Sequence, residues 1–323
     1  DRLPYSLLYH QTMSTLASHG EMTPRELASR VLSLSAFRHI SQDDFRLLLH
    51  HLLSIDHVNR TENGGLIVGI TGERIINNYK FYAVFKENLE YSVRCGSDEL
   101  GTIVKPPPVG DKIAIAGRVW VVEELDHDKH IVYCTLVKGS VPAYFGDVPG
   151  DINTRILERM FTVLSEEKNY PYLMPNAQKR LAEARNTFEK TGMASNALIS
   201  LGNKAWVLFP WLGSYAFLAL ERFLKRRCAK TLGLKGLSSV RPYWMQFTMN
   251  ADKQAFYDCV TQEAALNFDP LELVYPAEVP VFEKYDHYVA PSLVRKGFAY
   301  GVLDREGMKK RILSWSRSFG KPL

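Results

Sequence analysis

The groups able to do chemistry are spread along this chain, and few stand at spacings that chemistry needs. The richest run, Glu123-Glu124-Leu125-Asp126-His127-Asp128-Lys129-His130, offers the carboxylates, imidazoles and amine of a metal centre or an acid–base pair. It falls between two apolar, β-branched runs, where a hairpin turn is expected and where Asp and Lys serve solubility. His50-His51 are adjacent, so on a helix they diverge by about 100°, and no carboxylate stands four residues away on either face. No G-x-x-x-x-G-K-[ST] is present, the one Gly-Lys pair (Gly320-Lys321) precedes Pro322, and no Asp-Glu-x-His occurs, so no phosphate cradle for ATP is expected. A G-x-S-x-G elbow is absent too. Neither a metal nor a cofactor is expected in this chain.

What remains is charge interleaved with aromatic rings. Lys225-Arg226-Arg227-Cys228-Ala229-Lys230 is followed, after a glycine-marked loop, by Arg241, Tyr243, Trp244 and Phe247. Cations with aromatics hold single strands by phosphate contacts and stacking, although cations at the end of a helix also complement its dipole. A net charge of +5 over 323 residues is mild, but it is unevenly placed. Residues 1–150 carry 15 Lys/Arg against 18 Asp/Glu, residues 151–235 carry 14 against 7, and residues 236–323 carry 11 against 10. A polyanion is therefore expected to meet the middle segment first, where Lys179, Arg180, Arg185 and Lys190 also lie.

The elements that must position these residues follow from periodicity and caps, and they give an α+β multidomain fold. An amphipathic run at Tyr5, Leu8, Met13 and Leu16 reads as a helix. Thr23-Pro24-Arg25-Glu26 opens a second and Ser41-Gln42-Asp43-Asp44 a third. His57–Arg60, the turn Glu62-Asn63-Gly64-Gly65 and Leu66–Gly69 read as a hairpin. Three helices and a hairpin is the winged-helix order, expected over residues 1–78. The third helix is a poor reading head, because it offers Asp43, Asp44, Arg46, His50 and His51 beside a broad apolar face; Arg25, Arg30 and the wing's Arg60 are the more plausible DNA contacts there. Short strands at Tyr79–Lys86, Glu90–Cys95, Leu100–Lys105, Lys112–Ala116, Val119–Leu125 and His130–Val137 predict a small closed or nearly closed β-barrel over residues 79–150. Tyr82, Phe85, Tyr91, Trp120 and Tyr133 are its stacking candidates, though alternation puts many of them in the core.

Residues 151–323 read as a helix-rich α/β region: helices at Arg155–Glu166 and Asn176–Lys190, a hairpin around Gly202-Asn203, a long helix Tyr215–Thr231, and further helices at Ala251–Asn267, Pro291–Leu303 and Arg305–Ser314. The uncharged stretch Ala205–Leu220 is interrupted by Pro210 and Gly213 and is too short for a membrane span. Four scattered cysteines without a C-x-x-C pair fit a reducing, cytoplasmic setting. The chain begins at Asp1 with neither an initiator Met nor a leader, as a piece of a longer protein would.

Taken together, several segments resemble one family. Thr71-Gly72-Glu73-Arg74, continuing through Asn77-Asn78-Tyr79-Lys80-Phe81-Tyr82-Ala83-Val84-Phe85 into Leu100-Gly101-Thr102-Ile103 and Ala116-Gly117-Arg118-Val119-Trp120-Val121-Val122, resembles the region after the motor of Lhr-like superfamily 2 DEAD/DEAH-box helicases. Phe209-Pro210-Trp211-Leu212-Gly213-Ser214 and Phe282-Glu283-Lys284-Tyr285-Asp286-His287-Tyr288-Val289 are similar to segments near the end of the same group. Ala290 departs from it, standing where the family's proline is expected, with Pro291 one place later. The resemblance implies two upstream RecA-like lobes that bind ATP and Mg²⁺, service in DNA repair or phage defence, and an accessory role here: bracing the motor and guiding single-stranded or junction DNA, or RNA. Arg180, Arg185, Lys225, Arg226, Arg227, Lys230 and Arg241 would then supply charge, and Tyr243 and Trp244 stacking. Two other classes stay open: a regulator that docks protein or DNA through the winged helix, and, because the C-terminal portions of some Lhr relatives resemble DNA glycosylases, a glycosylase-like repair enzyme for which Asp252, Asp286 and Asp304 are available carboxylates, none in a pattern tied to that chemistry.

Overall fold

Side-chain caps start the second and third helices. In the computed structural model, which describes residues 2–84, 90–104, 106, 109–110, 112–115, 117–126, 129–138 and 152–319, α1 spans Tyr5–His19 and α2 Pro24–Leu32. Thr23 and Glu26 form a reciprocal capping box at α2, with Pro24 in the first turn. Ser41 Oγ accepts from the Asp44 amide at 3.0 Å to open α3, Gln42–Ser54. β1 (Val58–Arg60) and β2 (Leu66–Val68) pair antiparallel, and α4 (Ile70–Ile76) follows. Leu8, Tyr9, Met13 and Leu16 pack with Leu27, Val31, Phe45, Leu48, Leu52, Val58 and Leu66 in one core. That core also takes in Tyr285, Val289, Leu293 and Val294 from near the far end of the chain.

The strand expected from Tyr79 does not form. Tyr79–Tyr82 is a turn of 3-10 helix, started by Asn78 Oδ1 accepting from the Lys80 amide at 3.0 Å. Its carbonyls are satisfied from outside a ladder: Tyr285 Oη donates to Phe81 O at 3.0 Å and to Ala83 O at 3.1 Å. β propensity loses here to a tertiary contact that no local window contains.

The described residues divide into two compact units, one drawing on Asp1–Val84 and Asp151–Leu323 and the other on Phe85–Gly150. The second unit is a five-stranded sheet of β3 (Tyr91–Cys95), β4 (Asp98–Ile103), β5 (Lys112–Ile115), β6 (Arg118–Asp126) and β7 (Ile131–Leu136), in the order β4-β3-β7-β6-β5. It curls into a half-barrel. Among the described residues no ladder joins β4 to β5. Val93, Ile113, Trp120, Val122, Val132 and Cys134 fill its concave side. Trp120, a stacking candidate, is 5% exposed and donates Nε1 to Ile115 O at 3.0 Å, so it is core. Phe85, His127 and Asp128 lie outside the described residues.

The rest of the first unit begins with an antiparallel pair, α5 (Thr154–Ser165) and α6 (Pro175–Lys190). β8 (Leu198–Gly202) and β9 (Ala205–Leu208) lead into α7 (Ser214–Phe223), which continues through a π-helical turn, Leu224–Cys228, into α8 (Ala229–Leu232). The long helix expected at Tyr215–Thr231 thus contains a widened turn. β10 (Lys235–Val240) and β11 (Trp244–Thr248) complete an antiparallel sheet ordered β10-β11-β9-β8. α9 (Lys253–Ala265), α10 (Pro291–Gly301) and α11 (Arg305–Phe319) follow. Phe217, Leu220, Phe223, Phe247, Phe256, Val260 and Ile312 form the heart of this core. The architecture is mixed α+β.

Candidate nucleic-acid interface

The cationic run after α7 is built into an ion-pair belt. Glu221, buried at 8% exposure, accepts from Lys225 Nζ at 2.7 Å and from Arg241 Nη2 at 3.0 Å, with Ser239 Oγ at 3.2 Å. Burial pushes the Glu221 carboxyl up, but the hydrogen bonds from Lys225 and Arg241 outweigh it and hold it below the usual range. Arg227 meets Glu263 at 2.9 Å and Glu272 at 2.6 Å, and its guanidinium lies 4.6 Å from the Phe268 ring centroid. Arg226 donates Nε to Glu272 O at 3.1 Å and lies over Tyr275. Arg222, which sequence reasoning passed over, makes a bidentate pair with Glu278 at 2.6 and 2.7 Å. The π turn buries Leu224 and Cys228 and leaves the cations between them to meet these acids. Lys230 is exposed and in no ion pair among the described residues.

The other expected contacts are dispersed. Arg185 donates Nε to Val163 O at 2.9 Å and Nη2 to Lys168 O at 3.1 Å, tying α6 to the last turn of α5 and to the chain after it. Arg180 is exposed on α6 with no carboxylate partner among the described residues. Tyr243, 43% exposed, sits at the β10–β11 turn; Trp244 beside it is half-buried. Phe247 is buried and stacks on Phe256 at 6.0 Å. Arg25 and Arg60 are exposed, and Arg30 Nη1 stands 3.1 Å from His19 Nε2. On α3, Asp44 turns inward to accept from Tyr5 Oη and Lys296 Nζ, each at 2.8 Å, while Arg46 pairs with Asp43 at 2.8 Å.

The three carboxylates considered for base excision serve as local caps. Asp252 accepts from the Ala255 amide at 2.8 Å and Asp304 from the Gly307 amide at 2.8 Å. Asp286, buried, accepts from the amides of Phe282 and Glu283 at 2.9 and 2.8 Å. Among the described residues, no group of three His, Cys, Asp or Glu could hold a metal, and no helix is long and apolar enough to cross a membrane.

Two segments about 200 residues apart in sequence meet to form a groove of about 260 Å³, lined by Arg74, Asn78, Lys80, Phe81, Lys284 and Tyr288 among others. Lys284 Nζ donates to Lys80 O at 2.6 Å and Ala83 O at 2.8 Å. Neither partner is a carboxylate, so the ammonium charge is solvated by carbonyl dipoles and not cancelled. Tyr79 and Tyr82 stand on the adjoining 3-10 turn, 76% and 84% exposed, whereas Phe81 between them is buried. Residues three apart on such a turn eclipse one another, so both tyrosine rings leave on one side, about 6 Å apart along the axis. Sequence reasoning noticed both segments but not their meeting; the signal available was the exposed spacing Tyr-Lys-Phe-Tyr, apolar only at its third place. Beneath the groove His10 Nε2 lies 2.8 Å from Phe81 O and His57 Nδ1 lies 3.0 Å from Tyr9 Oη. Burial lowers the pKa of both imidazoles. No protein-family model, no curated protein and no solved structure matches this chain.

Proposed function

We propose that this chain is the accessory region of an ATP-dependent, Lhr-like superfamily 2 helicase, holding single-stranded or junction DNA, or RNA, beside RecA-like lobes that bind ATP and Mg²⁺. On this reading residues 1–78 are a winged helix used for bracing, residues 79–150 a small barrel and residues 151–323 a C-terminal α/β domain. The chain itself carries out no ATP hydrolysis.

One observation carries the reading: two tyrosines more than three-quarters exposed on a turn whose intervening Lys80 and Phe81 line a groove together with Arg74 and Lys284. Large aromatic surface left in water is unfavourable for a monomer unless a ligand covers it. Stacking on a ring accepts any base, and ammonium or guanidinium groups contact phosphates regardless of sequence, so the geometry fits strand binding without sequence readout. Arg25, Arg60, Arg180 and Lys230 add unpaired positive charge.

Fluorescence anisotropy of a labelled oligothymidine strand across a salt series tests this. Three phosphate contacts in the groove give a slope of log K against log salt of about −2 for a single strand. Tyr82→Ala weakens binding by about 1–3 kcal/mol and Arg74→Ala flattens the slope by about 0.7. Affinity and slope unchanged in both variants, or binding that depends strongly on sequence, would overturn the proposal.

A further inference from the structure

A pocket of about 280 Å³ opens between α5, residues 193–197, Trp211 and α11. Phe161, Trp211 and Trp315 give it a partly aromatic wall. Trp211 meets Phe161 edge-on at 5.3 Å and Phe188 at 6.0 Å, and stacks with Phe209 at 6.4 Å; Trp315 lines the opposite part of the pocket. Trp211 holds φ at 54°, a left-handed backbone that a bulky residue seldom adopts. The neighbouring residues enforce it. Leu212 is buried, Gly213 N donates to Thr154 Oγ1 at 2.9 Å, and Ile152 N donates to Ser214 Oγ at 3.0 Å.

Arg311 supplies the polar edge. Its Nη2 donates to Glu158 Oε1 at 2.8 Å and to Trp211 O at 3.2 Å. Its Nε is buried without a hydrogen-bond partner, the one such side-chain atom among the described residues. That nitrogen is closed off from solvent, so the donors a ligand could reach are the terminal Nη groups. The Glu158 carboxylate beside it is half exposed and keeps acceptor capacity. The site therefore sets a guanidinium donor next to a carboxylate acceptor at the end of an aromatic slot whose volume suits one ring system.

We propose that this pocket binds a single nucleobase, with its ring against Trp211 and Phe161, a carbonyl oxygen facing Arg311 and an amino group facing Glu158. Guanine and cytosine carry an amino group and a carbonyl in reach of one such pair; adenine lacks the carbonyl and uracil the amino group. The inference rests on this pocket and not on the tyrosine groove, so either can fail alone. The base comes either from a bound strand that swings it out or from a free nucleoside.

Calorimetric titration of the full chain separates these. Guanosine and cytidine bind saturably, adenosine and uridine at least about tenfold more weakly, and Glu158→Gln abolishes the distinction while leaving thermal unfolding in place. An oligothymidine with one central guanine that binds tighter than its abasic counterpart, in a way Glu158→Gln removes, identifies the strand as the source. Binding of guanosine without that strand preference identifies the free nucleoside. Should Glu158→Gln not fold, Thr162→Trp, which plugs the pocket from an exposed position on α5, gives the same loss. No heat with any nucleoside up to about 1 mM, together with strand affinity indifferent to the central base, overturns the proposal.

Discussion

Arg227→Ala separates a structural cation from a ligand-binding one. The guanidinium is 18% exposed, and its partners Glu263 and Glu272 are 28% and 49% exposed. Breaking a fully buried pair costs about 3–5 kcal/mol, but half-solvated carboxylates are screened and relax into water, so each pair here contributes about 1 kcal/mol or less. Contact with the Phe268 ring at 4.6 Å adds about 0.5–1 kcal/mol. Together the loss is about 1–3 kcal/mol, and with a urea m-value near 2–3 kcal/mol/M the unfolding midpoint falls by about 0.5–1 M. Urea titration followed by intrinsic fluorescence measures this, and anisotropy of a labelled single strand measures binding in the same preparation. The expected pattern is a lowered midpoint with strand affinity within about twofold of the parent. An unchanged midpoint combined with a tenfold loss of affinity would show that the belt releases Arg227 to the ligand, and the structural assignment would fall.

Two more perturbations follow from the same geometry. Burial raises the pKa of Asp44, but hydrogen bonds from Lys296 and Tyr5 outweigh it and the net shift is downward. A carboxylate depressed in the fold stabilises above its unfolded pKa of about 3.9 and loses that contribution as pH falls through the folded value; Lys296→Met therefore lowers stability at neutral pH and flattens the acid limb below about pH 4, as urea midpoints across pH report. An acid limb identical to the parent's would refute the coupling. At Gly213 an added Cβ would overlap the Ile152 carbonyl oxygen and lie 2.5 Å from the Thr154 amide nitrogen, both backbone atoms. Gly213→Ala accordingly lowers the thermal midpoint by several degrees, whereas Gly202→Ala, with open space around it and only its φ of 83° to strain, costs less; equal effects would refute the close-approach argument.

What the sequence disclosed is set by range. The capping box at Thr23, the cap at Ser41 and the turn at Gly64-Gly65 act within four residues, and the helices and hairpin they delimit are where local chemistry puts them. The 3-10 turn at Tyr79–Tyr82 has a local start in the Asn78 side chain, but the groove beside it depends on Lys284 and Tyr285, which no window near residue 80 contains. The belt is the intermediate case. Residues 191–235 carry seven Lys/Arg against one acid, which reads as a field for a polyanion when the segment is taken alone. Residues 251–286 carry eight acids against two Lys/Arg, an opposite surplus of nearly the same size. Glu263, Glu272 and Glu278 come from that second stretch and answer Arg222 and Arg227 across 36 to 56 positions. Two successive segments of opposite charge in one folded unit satisfy each other before they attract a ligand, because intramolecular partners act at an effective concentration no solute reaches. The cations left for a strand are thus those that meet no carboxylate among the described residues, such as Arg74 on the segment that leads to the exposed Tyr79 and Tyr82.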